Sequence, residues 1–376
     1  MPSSTSRRSR WAFVTGVIVC QFAVFEAGLR LKGGSEAAAE FQRLFTPDSA
    51  IGYRLKPGAR SHFKTAEFET DISINSAGVR DEELGPKARD ERRILVLGDS
   101  LVLAVQVQVH ETFCRRLEDR LNRHYRASGI RYRVINGGVQ GYGPVEEYLF
   151  FRDVVRTLDP DIVLVALYAA NDAIEANTSA ARLSNPSGAA DPVVAGATTY
   201  SWIRRTVRRS MVLQVVRLRL VSLAERLGRA ADVSPALRTY LPVAPTDVTD
   251  GLAVTRDCVD RIAALATERG AKTAAVLLPA RFQVNDEDFG HLATLVASAG
   301  VTLDRNAATA RFRAALNGSA VPLLDALPGL QAQKDPARLF FRQTAHFTLR
   351  GHEVLAEQIE RFLVSSRLIP PQEDRP

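Results

Sequence analysis

From residue 93 onward the chain alternates short apolar runs with longer helical patterns, and this alternation restricts the available folds more than any other feature. Residues 93–98 (RILVLG) read as a buried strand and 111–121 as the helix after it. A second strand falls at 132–136, and 144–158 reads as a helix with Pro144 at its start. The run 161–168 (DIVLVALY) is the most strand-like in the chain, and 274–278 and 321–324 supply two more. Helical patterns at 252–269, 288–299, 304–316 and 350–364 separate and follow them. Strands with no polar face need cover on both sides, and a parallel sheet with crossover helices provides it. The expectation is therefore α/β: a doubly wound, flavodoxin-like parallel sheet of about five strands with helices on both faces, over residues 91–366. A stretch at about 178–250 without strand pattern reads as a helical insertion. Residues 32–90 read as an irregular, strand-poor lead-in broken by Gly33-Gly34, Pro47, Pro57-Gly58 and Pro86, and 367–376 as a flexible tail.

Ahead of the lead-in, Arg7, Arg8 and Arg10 precede an uncharged apolar run at 11–25, and continuing to residue 31 gives about the 20 residues that cross a bilayer core. Residues 1–31 thus read as a cytoplasmic arm and one N-terminal transmembrane helix, with the rest of the chain translocated. A cleaved signal peptide competes with a retained anchor, although no A-x-A-like site lies close behind the apolar run. The formal charge of +7 is concentrated rather than general. Besides the first arginines it lies at 203–229, where eight arginines accompany a single acid, Glu225. Arg204, Arg205, Arg208 and Arg209 recur at one-turn spacing against Ile203, Val207, Met211, Val215 and Leu223, which makes a basic amphipathic helix. Such a helix can rest on anionic lipid, or pack as a cap on the core with its arginines solvated. Elsewhere acids and bases nearly cancel, so nucleic acid is not an expected partner. Cys20, Cys114 and Cys258 have no metal-ligand spacing, and there is no P-loop or GxGxxG; no metal and no cofactor are expected.

Functional groups in an open α/β sheet gather at the carboxyl ends of the strands. There the first three strands present Gly98-Asp99-Ser100-Leu101, then Asn136-Gly137-Gly138-Val139-Gln140-Gly141, then Asn171-Asp172. A serine directly after a strand, with its N–H near a helix start, can expose its hydroxyl and help bind an oxyanion. A glycine N–H and an asparagine amide from adjacent loops would complete a three-donor hole. The serine needs a base from among His62, His110, His124, His291, His346 and His352. Position favours His346, in the loop before the last helix; His352 lies inside that helix and reads as structural.

These blocks, in this order, resemble the SGNH hydrolase superfamily, also called GDSL esterases. Residues 51–58 (IGYRLKPG) and 75–81 (NSAGVRD) are similar to the lead-in of membrane-anchored bacterial members. The resemblance implies Ser100 as nucleophile, His346 as general base, and the Ser100 N–H, Gly141 and Asn171 as oxyanion donors. Asp99, Asp172 and Gln343 are supporting candidates. It also implies a membrane-anchored bacterial protein, and with the apolar run this reads as a single-pass protein of the inner membrane with a periplasmic domain, held by residues 11–31 and, in one of the two readings of the basic helix, by 203–229 as well. Its partner would be an ester-bearing small molecule or an acetylated glycan. The family's third triad member, an aspartate two or three residues before the histidine, is replaced here by Thr344 and Gln343. Three explanations stand: a Ser-His dyad oriented by Gln343 or a backbone carbonyl, a carboxylate from elsewhere such as Asp325 or Asp335, or a degenerate site. Val102-Leu103-Ala104-Val105 and Ala169 also depart from the pattern, which points to a narrower, more apolar mouth. Function is accordingly read as ester hydrolysis through an acyl-enzyme, with O-acetyl transfer to a polysaccharide and non-catalytic glycan binding as alternatives.

Overall fold

The structure, a computed structural model, describes residues 40–184, 234–298 and 300–371. The chain divides into two compact units, one of residues 1–42 and 190–232 and one of 43–189 and 233–376. Apart from 40–42, every described residue belongs to the second unit. The expected anchor at 11–31 and basic helix at 203–229 lie outside the described residues, among which no helix is long and apolar enough to cross a membrane.

Two hairpins open the second unit. Strands β1 (Phe45–Asp48) and β2 (Gly52–Leu55) pair antiparallel, as do β3 (Arg60–Lys64) and β4 (Glu69–Ser73). The lead-in is therefore not strand-poor, which corrects the expectation. Its strands are four or five residues long and Pro47 sits inside β1, which only an edge strand tolerates. In β3 and β4 buried Ser61, Phe63, Thr70 and Ile72 alternate with exposed positions, the period of a half-buried strand.

The main sheet contains β5 (Glu91–Gly98), β6 (Arg131–Gly138), β7 (Ile162–Tyr168), β8 (Lys272–Leu278) and β9 (Leu323–Asp325). All pairings are parallel and the order is β6-β5-β7-β8-β9, the 2-1-3-4-5 arrangement of flavodoxin-like sheets. The main helices are α1 (Phe113–His124), α2 (Pro144–Asp153), α3 (Asp172–Ser179), α4 (Thr246–Thr267), α5 (Asp286–Ala297), α6 (Ala307–Leu316) and α7 (Leu349–Ser365). Alternate strand residues serve opposite faces. Ile94, Val96, Leu164 and Val276 join one core with Leu117 and Leu121 of α1 and Leu355 and Ile359 of α7. On the other side α4 packs along α2 and α3 and reaches β7 and β8. Cys114 and Cys258 are buried and unpaired.

The α4–α3 crossing bears on the site, because α3 starts directly after Asn171. A Cβ on Gly251 would lie 1.6 Å from the Ala173 carbonyl oxygen, so only glycine lets these backbones approach so closely. Gly251→Ala is expected to destabilise the unit by about 3 kcal/mol and to lower Tm by roughly 6–12 °C. Thermal unfolding followed by circular dichroism checks this, and an unchanged Tm would mean the contact is dispensable.

Candidate active site

Strand register brings the candidate loops together. Gly98 pairs with Gly138 on one side and Ala166 on the other, so β5, β6 and β7 release their chains side by side. Ser100 follows β5 by two residues and opens a single helical turn, Ser100–Leu103. Asp99 caps that turn, its Oδ1 accepting the Leu101 N–H at 2.8 Å. The turn presses on the neighbouring loop: a Cβ on Gly138 would sit 2.3 Å from the Leu103 nitrogen. Val102, Leu103, Ala104, Val105 and Ala169 are buried. They pack inward rather than lining an apolar mouth, which corrects that expectation.

His346 reaches the serine from the far end of the chain. Its Nε2 lies 2.9 Å from Ser100 Oγ, and its Nδ1 lies 2.6 Å from the Thr344 carbonyl oxygen. A carbonyl can only accept, so Nδ1 carries the proton and Nε2 presents the lone pair to the Ser100 hydroxyl. Ala345, between the two, holds φ of +53°, a left-handed conformation unusual for a residue with a Cβ. That bend turns the Thr344 carbonyl back onto the ring of the next residue but one. Phe341 N–H donates to the His346 carbonyl, and Phe340 bridges Phe347, closing the loop on itself. Burial pushes the His346 pKa below its ordinary value, partly opposed by the bond to Thr344.

Gln343 is not the orienting group. Its described bond runs from its backbone N–H to Glu67 Oε2, beside one from Arg342 N–H to Glu67 Oε1, both 2.9 Å. Asp325 accepts from Leu327 N–H, and Asp335 pairs with Arg338. Of the three explanations for the missing aspartate, the geometry matches the backbone carbonyl. His352 is buried between Phe113 and Phe347, and its Nδ1 accepts the Phe113 N–H at 3.2 Å.

Gly141 adopts φ of +72° and is exposed, and Asn171 is half-buried at the start of α3. One Asn171 Nδ2 hydrogen is donated to Glu175 Oε1 at 2.9 Å, which leaves the second free to point elsewhere. Asp172 accepts the Tyr168 N–H through Oδ2 at 2.7 Å and steadies the turn after β7. Beneath these loops Asp99, Glu146, Glu147, Asp172 and Glu175 form a group of carboxyls. The Glu147 oxygens, Asp172 Oδ1 and Glu175 Oε2 are buried without a hydrogen-bond partner. Desolvation pushes Asp99 up to about 7 and Glu175 up to about 8, and raises Glu146, Glu147 and Asp172 above the usual range.

The lead-in touches three of the loops at the site. Buried Arg80 donates to the carbonyls of Leu103 at 2.7 Å and Val107 at 2.6 Å, and to that of Ala104, and so holds the segment after the Ser100 turn. Tyr53 donates to the Gln140 carbonyl at 2.7 Å, and Glu67 grips the His346 loop through Arg342 and Gln343. Sequence reasoning singled out none of these roles. Glu175 carried a signal, four residues after Asn171 on one helix face. A backbone acceptor such as Thr344 leaves none.

No family model matches the chain, and no curated protein matches it. Among solved structures it is similar to a lipase/acylhydrolase from Enterococcus faecalis, at 14% identity and a TM-score of 0.36, covering 75% of this chain and 99% of that one. It is similar also to an acetyl xylan esterase, at 12% and 0.38, covering 72% and 100%. A third is a two-domain esterase active on acetylated mannans, at 11% and 0.39, covering 76% of this chain and 52% of that one. At this distance the likenesses carry no residue roles, and the chemistry rests on the geometry above.

Proposed function

We propose that the protein is a serine esterase of the SGNH type that cleaves carboxylic esters through a Ser100–His346 acyl-enzyme mechanism. The observation that carries this reading is the 2.9 Å contact from His346 Nε2 to Ser100 Oγ, with the opposite ring nitrogen held by a backbone carbonyl. Ser100 attacks the ester carbonyl while His346 takes its proton; the imidazolium then protonates the leaving alcohol. Water activated by His346 releases the acyl group. The Ser100 and Gly141 N–H groups and the Asn171 amide are the donors for the charge that develops on the carbonyl oxygen.

The Thr344 carbonyl performs one of the two tasks of a triad carboxylate. Loss of the carboxylate in a serine protease triad costs about 10⁴ in rate, chiefly through the wrong imidazole tautomer. Here the tautomer is set without a carboxylate, and what is missing is the full negative charge beside the imidazolium. Anchoring at residues 11–31, lipid contact by residues 203–229, a periplasmic location and an acetylated envelope glycan as substrate belong to the same proposal on the sequence alone.

The test is labelling of the full-length protein by a fluorophosphonate, together with hydrolysis of short-chain and acetylated-sugar esters. Adduct mass on Ser100, and loss of both labelling and hydrolysis in Ser100→Ala, is the expected result. A folded wild-type protein that neither labels at Ser100 nor hydrolyses any ester would remove the reading.

A further inference from the structure

We propose that Tyr53 is a positioning residue that aims the Gly141 N–H into the oxyanion hole; the proposal rests on the acyl-enzyme reading above. A trans peptide unit is planar, with its C=O and N–H pointing in opposite directions. Whatever holds the carbonyl of residue 140 therefore sets the direction of the N–H of residue 141. Tyr53 Oη donates to the Gln140 carbonyl oxygen at 2.7 Å. The phenol also stands directly behind the glycine, since a Cβ on Gly141 would meet Tyr53 Oη at 2.9 Å.

Tyr53 is itself held from the other side. The buried Tyr142 donates its hydroxyl to the Tyr53 carbonyl at 2.6 Å, and the two rings lie 5.6 Å apart. The edge of Phe45 packs at 5.7 Å, so β1, β2 and the loop after β6 form one aromatic wedge. Burial pushes the phenol up to about 12, which keeps the hydroxyl a donor across neutral pH.

Such a clamp has a purpose at a glycine. With no Cβ, Gly141 tolerates several backbone conformations, so the peptide before it can rotate at little steric cost. Rotation would turn the N–H away from the hole and the Gln140 carbonyl dipole toward it, which opposes an oxyanion. The hydroxyl of Tyr53 selects one orientation without touching substrate.

Tyr53→Phe in the full-length protein tests this beside Thr70→Val. The control loses a bond of the same kind, from the Thr70 hydroxyl to the buried Val105 carbonyl at 2.7 Å, away from Gly141. Complete loss of one oxyanion donor costs about 10²–10³ in kcat, and loosening one costs less. Tyr53→Phe is expected to lower kcat about 10- to 100-fold with KM within about twofold, while Thr70→Val keeps kcat within about twofold at a similar loss of Tm. In protein labelled with ¹⁵N-glycine, the Gly141 amide resonance should move in Tyr53→Phe and stay in place in Thr70→Val. Three results overturn the proposal: kcat within twofold of wild type in Tyr53→Phe, equal kcat losses in both variants, or an unmoved Gly141 resonance. The resonance is read without turnover, so a wild type inactive on every ester would sink the esterase reading while the spectrum alone decides the role of Tyr53.

Discussion

His346→Ala is expected to lower kcat for ester hydrolysis by about 10⁴-fold or more while the fold persists. The imidazole is the one group described within hydrogen-bond reach of Ser100 Oγ that can take its proton. The companion expectation is a pH profile. Only neutral His346 accepts the proton, so kcat/KM falls as pH drops through the imidazole pKa. Burial holds that pKa below the ordinary 6.5, so the acid limb should have its midpoint below 6.5. The Thr344 carbonyl does not titrate, and the acid limb then belongs to the imidazole. Steady-state kinetics of both proteins from pH 4 to 9 check this; a midpoint at or above 6.5, or substantial activity in the alanine variant, would count against His346 as base.

The second large effect concerns stability. The carboxyls of Asp99, Glu147, Asp172 and Glu175 keep their protons in the folded state at pH values where the unfolded chain has lost them. Between the ordinary and the raised pKa the native state binds more protons than the unfolded state, so stability falls as pH rises. The contribution is complete below about pH 4 and is lost as pH climbs through the folded values, about 7 for Asp99 and about 8 for Glu175. The carboxyls interact with one another, so the loss belongs to the group as a whole rather than to any single member. Arg182 on Glu146, at 3.1 Å, is the cation described against this group, so little offsets the desolvation. Glu147→Gln stays neutral at all pH, so it should gain stability on wild type steadily from pH 5 to pH 9. Urea unfolding across that range tests the difference, and a constant gap between the two proteins would refute the account.

The sheet was legible because its central strands are buried on both faces: within the runs 93–98 and 161–168, the stretches 94–98 and 162–167 have no polar position to confuse the reading. The hairpins were not, because four-residue strands holding Pro47 or followed by Pro57-Gly58 look like loops until their antiparallel partners are seen. Ser100 and His346 could be chosen by position, one after the first main strand and one before the last helix. The partner of His346 could not, because it depends on the positive φ of Ala345 and on a carbonyl that every residue possesses. Glu146 and Glu147 read as ordinary first-turn acids after Pro144. Only packing reveals that both are buried, and that neither oxygen of Glu147 has a partner.

The grip of Glu67 on Arg342 and Gln343 joins an early loop to a very late one. On a ribosome, which delivers the chain from its N-terminus at about 5–20 residues per second, the hairpin carrying Glu67 waits roughly 15–55 s for the histidine loop to be made. A nascent chain can therefore assemble the serine turn and its neighbours and still be inert. Reactivity arrives in one late step, with the final loop and the helix behind it.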